Sequence, residues 1–321
     1  MPSVASVPAP PAAWGGKRYN SYNRYLRNRF GTKVHKVSLH GGFTCPNRDG
    51  SKGFGGCIYC NNDSFVPSYI DADMEIRKQI AVSLPFMQKR YGAAATIAYF
   101  QAYTNTYADL DRLKELYGQA LEHEGMVGLD IGTRADCIDE ALLEYLAELN
   151  ERHEVTVEFG IESCHDDTLE WMNRGHDYDA VVKAVALTRS YGLKVGGHLI
   201  LGFPVEDREM MIESGLSANL LKLDFLKFHQ LHIVKGTKLA HDFQQNPFPA
   251  FSPEIYIDLV IDILERLSSN IVMQRFFGDS PADLLIAPRW DRTIPELLYQ
   301  LDQRLVERDT WQGRLFQLPG G

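Results

Sequence analysis

The chain has 321 residues, 45% of them hydrophobic, and a formal net charge of -9, enough for a folded core in one large or two modest domains. No stretch nears the roughly 20 continuous apolar residues of a membrane span, and five cysteines are too few, and odd in number, for a secreted disulfide framework. The acidic balance speaks against a general nucleic-acid-binding surface, and a cytoplasmic, reducing setting is expected.

Residues 1–16, MPSVASVPAPPAAWGG, read as a short disordered leader, since proline interrupts any apolar run and no basic segment precedes one. Residues 17–36 hold seven Lys/Arg and no acid, with Tyr19, Tyr22, Tyr25 and Phe30 between them. Cations with interleaved aromatics suit phosphates and unstacked bases; equally, Tyr22, Tyr25 and Leu26 would pack one face of a short helix and leave the arginines solvated. A first strand is expected over Val34–Leu39, followed by a glycine-rich loop.

Strand-like runs then recur at Thr96–Phe100, Val127–Ile131, Val155–Ile161, Lys194–Leu201, Phe225–Ile233 and Ile271–Phe277. Amphipathic stretches at 73–89, 107–123, 140–151, 178–191, 207–222 and 253–267 alternate with them. This order predicts an α/β fold with a parallel sheet, either doubly wound or a full or partial β/α barrel of about six to seven strands. No G-x-G-x-x-G turn follows the first strand, which weakens the dinucleotide-binding version. A barrel carries its chemistry on loops after the C-terminal strand ends, where Gln101, Thr104, Asn105, Thr133, Arg134, Glu162, His229 and His232 collect. Past Gly278 the period is lost, so the expected organisation is a leader (1–16), a barrel with its basic segment (17–277) and a short C-terminal extension (278–321).

The loop after the first strand, CPNRDGSKGFGGCIYCNN, holds three of the five cysteines, spaced C-x11-C-x2-C. Cys-x2-Cys sets two sulfurs close enough to share a metal, and thiolate is a ligand of both zinc and iron–sulfur clusters. A closed zinc site wants a fourth protein ligand, for which His40 or His35 is available; the protein would then be a zinc-stabilised β/α binding or scaffold protein. A 4Fe-4S cluster on Cys45, Cys57 and Cys60 instead leaves one iron open to a small molecule. Cys137 and Cys164 stand apart, as buried thiols commonly do.

Cys57-Ile58-Tyr59-Cys60, in the loop after a first barrel strand, resembles the C-x3-C-x2-C motif of the radical S-adenosylmethionine (SAM) superfamily, with the first gap widened to eleven. With GGFTCPNRDG, FQAYTNTYA, GTRADCI, EFGIES, NRGH, LILGFP and LHIVKGT, it resembles a small bacterial family related to the radical SAM domain of the Elongator catalytic subunit, over about residues 17–290. The resemblance implies that Cys45, Cys57 and Cys60 hold a 4Fe-4S cluster, and that reductive SAM cleavage yields a 5'-deoxyadenosyl radical that takes hydrogen from a substrate. It implies contacts to SAM from Glu162 (ribose), Arg174 (methionine carboxylate) and His198 (a further ribose contact). Gln101 or Thr104 would meet the methionine amine, in a stretch without the Gly-Gly pair of relatives. It also implies an electron donor such as flavodoxin or ferredoxin, and transfer RNA as a candidate substrate. Taken singly, Glu162 would cap the helix near Asp166, and Arg174 would pair with Asp177 or Asp179; His229, His232 and Lys235 would line the substrate side of the mouth or be satisfied barrel residues.

Overall fold

The structure is a computed structural model that describes residues 10–62, 70 and 73–317. Strands β1 (Val34–Leu39), β2 (Ala95–Phe100), β3 (Met126–Thr133), β4 (Glu154–Glu162), β5 (Lys194–Leu201) and β6 (Phe225–Gln230) pair in parallel in chain order. The short β7 (Ile233–Val234) steps out of this sheet, and β8 (Val272–Arg275) completes it as the seventh strand. Strands β1 and β8 remain as its two edges, so the sheet is a curled partial barrel. Strand β7 pairs antiparallel with β9 (Leu285–Ala287) above it.

The crossovers start where short polar side chains satisfy free amides. Asp139, Asp177, Asp207 and Ser252 accept from the N–H groups of Leu142, Ala180, Met210 and Ile255, which fixes the N-termini of α4 (Glu140–Asn150), α6 (Tyr178–Ser190), α7 (Arg208–Leu220) and α9 (Pro253–Leu264). With α2 (Ile76–Tyr91) and α3 (Leu110–Leu121), these helices cover the outer face of the sheet. Their leucines pack on the outward residues of the strands, which on β4 are Val155, Val157, Phe159 and Ile161. The C-terminal α10 (Ile294–Glu307) begins with a Thr293/Glu296 capping box and buries Leu297, Leu301 and Leu305 against the same core.

The inner face of the sheet is charged. Alternation puts Glu154, Glu158 and Glu162 on one face of β4, at the bottom, middle and top of the barrel. Glu158 accepts from Lys36 Nζ of β1 at 2.8 Å and from Lys227 Nζ of β6 at 2.5 Å, while Lys36 also reaches Asp130 of β3 at 2.5 Å and Gln274 of β8 at 3.3 Å. At the bottom, Glu154 accepts from Tyr25 Oη at 2.8 Å and Arg29 Nε at 2.9 Å, both on α1 (Tyr22–Phe30).

Helix α1 therefore closes the N-terminal end of the barrel. Tyr22 and Leu26 pack on the first residues of the strands, Val34, Ala95, Phe225 and Val272. Of the two readings of residues 17–36, the structure shows the packed aromatic face. Tyr19, Tyr22 and Leu26 are buried, Lys36 is spent in the barrel, Arg18 and Lys17 pair with Asp309 and Asp302, and the segment lies at the end opposite the cysteine loop.

Three expectations change. Residues 12–14 form a 3-10 helix with Trp14 buried rather than a disordered leader, whose residues 1–9 lie outside the described ones. The run Phe225–Ile233 breaks after Gln230, because the Gln230 side chain bonds both Gly278 and His232 and turns the chain off the sheet. Two helices of 6 and 8 residues, α5 (Asp166–Trp171) and α8 (Lys238–Gln245), are too short for a sequence window to separate from loop.

Phe225 meets the rings of Tyr22 and Tyr25 at 5.5 and 5.2 Å. Phe225→Ala should lower the unfolding free energy by about 3–5 kcal/mol in urea titrations, whereas Arg27→Ala, on the exposed face of α1, should change it by about 0.5 kcal/mol at most. Equal effects would mean that α1 is held by its charges and not by its aromatic face.

Candidate active site

The residues between Cys45 and Cys57 fold back on themselves. The Cys45 carbonyl accepts from the amides of Arg48 at 2.8 Å and Asp49 at 3.2 Å, Asp49 bridges Phe54 across a small hairpin, and Gly56 N–H donates to the Asn47 carbonyl at 2.8 Å. The long spacing thus returns the chain beside its start. Arg48 Nη2 donates to the Cys60 carbonyl at 2.7 Å, and Asn62 Nδ2 approaches Cys60 Sγ at 3.5 Å. All five cysteines are free thiols; burial, with Cys57 beside it, pushes the Cys60 thiol up to about 11.

Neither proposed histidine joins them. His35 lies at the N-terminal end of β1, its ring stacked on Tyr91 at 4.5 Å. His40 accepts from Gly42 N–H at 3.1 Å and faces a separate surface hollow with Asp73, Glu75 and Arg77. Among the described residues, no three His, Cys, Asp or Glu side chains gather around a single-ion position.

Cys45, Cys57 and Cys60 line one cleft with Gln101, Thr104, Glu162, Arg174 and His198, at the C-terminal ends of the strands. The sheet aims Glu162 into it by an irregularity. The β4–β5 register shifts between Gly160 and Glu162, and Glu162 has φ 63, a costly left-handed conformation for a residue with a side chain. Its Oε1 lies 3.9 Å from Arg174 Nη2 and its Oε2 3.8 Å from His198 Nδ1, with Oε2 buried and making no hydrogen bond. Burial raises the Glu162 carboxyl above its ordinary range, with Arg174 the main opposing influence. Arg174 Nη2 donates to the Gly160 carbonyl at 2.5 Å, its Nη1 lies 3.7 Å from Cys57 Sγ, and its Nε is buried without a partner. Neither residue is spent on a surface role: α5 has no side-chain cap, and Asp177 caps α6.

The loop after β2 needs no glycine pair because Tyr103 itself takes the left-handed conformation, φ 65. Its N–H donates to Asn62 Oδ1 at 3.0 Å, and Thr104 N–H donates to the Thr44 carbonyl at 3.2 Å, which ties the Gln101–Thr104 rim to the cysteine loop. His229 and His232 line the cleft; Lys235, Cys137 and Cys164 do not. Burial raises both of these thiols, Cys137 to about 12. Asn105 spends its amide on the carbonyls of Phe100 and Gly132.

The cleft also holds Tyr59, Tyr99, Glu158, Lys227 and Arg275, which the strand-end pattern does not mark. A charged residue at mid-strand was the available signal, since strands buried on both faces are otherwise nearly all apolar. Lys227 Nζ donates to Tyr99 Oη at 2.8 Å, and burial, with Lys36 and Arg275 nearby, lowers it to about 7 against the pull of Glu158.

The model of the radical SAM superfamily matches residues 44–215, and that of a radical SAM C-terminal domain matches residues 223–307. The chain belongs to the radical SAM superfamily. An uncharacterized protein of Bacillus subtilis (strain 168), YtqA, is 37% identical over 304 residues, covering 94% of each chain. A tRNA uridine(34) acetyltransferase of Methanocaldococcus jannaschii is 26% identical over 185 residues, 57% of this chain but 34% of that protein. The structure of archaeal Methanocaldococcus infernus Elp3 with an N-terminal deletion shares the fold, with TM-score 0.67 at 18% identity, over 87% of this chain and 64% of the other. The chain is thus a radical SAM enzyme related to the Elongator radical SAM domain. None of its helices among the described residues is long and apolar enough to cross a membrane.

The cleft histidines give radical SAM chemistry here a neutral setting. Burial, then Arg275, lowers His232 from 6.5 to about 4. In the unfolded chain this imidazole takes its proton near 6.5, and in the folded one only near 4. Its contribution is therefore flat above 6.5, and stability falls by roughly 2 kcal/mol by pH 5. Urea titrations at pH 7 and pH 5 should show a smaller acid loss for His232→Asn than for the unmodified protein; an identical loss would show that His232 is protonated freely in the fold.

Proposed function

We propose that the cleft binds a 4Fe-4S cluster and SAM and abstracts hydrogen from a substrate. The observation that carries this is the meeting of three free cysteines with Glu162 and Arg174, each of which has a buried polar atom without a partner, in one cleft. Such atoms are costly unless a ligand satisfies them. The donor set suits a cluster, in which each thiolate takes a separate iron. It suits a single zinc ion poorly, because the cysteines do not gather on one point and both candidate histidines face elsewhere.

When bound, the cluster and SAM supply a 5'-deoxyadenosyl radical by reductive carbon–sulfur cleavage, with the electron coming from a donor such as flavodoxin or ferredoxin. The chain's part is to hold and orient. Cys45, Cys57 and Cys60 carry the irons. Glu162 accepts from ribose hydroxyls through its orphaned oxygen, with His198 beside it. Arg174 offers its guanidinium to the methionine carboxylate, and Gln101 or Thr104 meets the amine. Transfer RNA is the substrate class favoured by the tRNA-modifying relative, but that likeness stops at about a third of the relative's length, so acetyl transfer is not carried over.

Protein purified without oxygen should contain about four irons and four sulfides per chain, and Cys60→Ala should lose them and SAM cleavage while keeping its circular dichroism. One zinc with no sulfide would overturn the reading. Arg174→Ala should retain iron and weaken SAM binding at least tenfold in equilibrium dialysis; an unchanged affinity would remove Arg174 from the SAM site.

A further inference from the structure

Away from the cysteines, the cleft ends in a second polar wall built from β5, β6, β8 and the turn after β8. Arg275, the last residue of β8, enters it with its Nε buried and, among the described residues, unpartnered, and its Nη2 lies 3.5 Å from His198 Nε2. Of the nearby carboxylates, Glu158 is bound by Lys36 and Lys227, while Glu162 has Arg174 at 3.9 Å and makes no ion pair with Arg275. The histidines add no competing acceptor charge. Burial, seconded by Arg275 at His198 and by His232 and then Arg275 at His229, lowers both imidazoles well below their ordinary range.

A chain of hydrogen bonds sets the direction of the remaining donor. Gly278 N–H donates to Gln230 Oε1 at 2.8 Å, which fixes the amide so that Gln230 Nε2 donates to the Gly278 carbonyl at 3.1 Å and to His232 Nε2 at 2.8 Å. His232 is then protonated on Nδ1 and donates to Ser280 Oγ at 2.8 Å. With its oxygen accepting from His232, the Ser280 hydroxyl has its own hydrogen left to give, and Ser280 lines the cleft. Gly278 makes this packing possible, since a Cβ there would fall 1.9 Å from His229 Nε2.

We propose that Arg275 and Ser280 form an oxyanion site that seats a carboxylate or phosphate of the substrate, with Lys227 behind it. Arg275 makes no ion pair among the described residues, acting on the Glu162 carboxyl only from a distance, and a guanidinium so placed with a hydroxyl left to donate calls for an acceptor bearing negative charge. A cationic pocket in a chain of net charge -9 also focuses anions into the cleft. The assignment rests on the radical SAM reading only in placing the cofactor at the cysteine and Glu162 end.

Isothermal titration of the full chain, purified without oxygen and free of SAM, with inorganic phosphate and with acetate tests the site whether the metal proves to be iron or zinc. At least one anion should bind, and the tighter of the two names the group. Arg275→Gln should weaken it at least tenfold, Ser280→Ala about threefold, Arg275→Lys should recover most of the loss, and Arg292→Gln, on the surface beside Glu254, should have no effect. Iron content and SAM affinity of Arg275→Gln should match the unmodified protein. Failure of both anions to bind, an unchanged affinity in Arg275→Gln, or a tenfold loss of SAM affinity in that variant would overturn the proposal.

Discussion

Glu158 is the constraint around which the barrel is arranged. A carboxylate in the middle of a parallel strand, 5% exposed, is tolerable only if it is fully partnered, and its partners come from β1 and β6, on either side of an open sheet. Lys36 matters doubly because β1 and β8 do not pair through their backbones: its bonds to Asp130 and Glu158 tie β1 across the barrel interior, and its bond to Gln274 reaches β8 across the gap, beneath which α1 packs on both edges. Removing one member would strand the others as buried charges, an effect of order 3–5 kcal/mol. The curl of the sheet, and with it the gathering of strand ends into one mouth, follows from this inner charge network as much as from the apolar layer outside.

Strand β4 shows how one alternation serves three purposes. Glu154, Glu158 and Glu162 are the same residue type at successive levels of one inward face. The first fixes the aromatic helix that plugs the bottom, the second closes the middle, and the third is left with an orphaned oxygen at the top. Their chemistry diverges by partner alone. Two lysines pull the Glu158 carboxyl well below its ordinary range, overriding burial, whereas at Glu162 burial outweighs the guanidinium of Arg174 at 3.9 Å and carries the carboxyl upward.

The strand and helix alternation was legible because strands apolar on their outer face alternate with amphipathic helices, several of which begin at a capping Asp or Ser, and these are local signals. Strand-end residues were legible for the same reason, and Gln101, Thr104, Glu162, Arg174, His198 and the three cysteines do line one cleft. The basic, aromatic stretch 17–36 was legible only as two alternatives because composition does not say which way a side chain points: Tyr22 turns inward to Phe225, and Lys36 into the barrel. Ser280 was out of reach for a different reason. Its meaning depends on a hydrogen-bond chain joining residues 230, 232, 278 and 280 across two strand ends, a relation with no sequence period.

The gap of eleven residues between Cys45 and Cys57 bears on how the cysteine-bearing and Arg174-bearing parts of the cleft are kept in register. Since the intervening hairpin closes on Asn47, its length can vary without moving Cys57. What cannot vary freely is the link to Arg174. Asn47 Nδ2 donates to the Asn173 carbonyl at 2.5 Å, and Asn173 Nδ2, from a residue at φ 57, donates to the Gly56 carbonyl at 2.8 Å. This reciprocal pair of amides binds the residue before Cys57 to the residue before Arg174. The Arg174 carbonyl is held in turn by Arg134 Nη1 at 2.8 Å, with Asp136 gripping the same guanidinium through Nε and Nη2, each at 2.9 Å. The position of Arg174 relative to the cysteines is thus set by short polar side chains on three separate loops, so the geometry of the cleft is indifferent to the cysteine spacing that first makes the sequence look unusual.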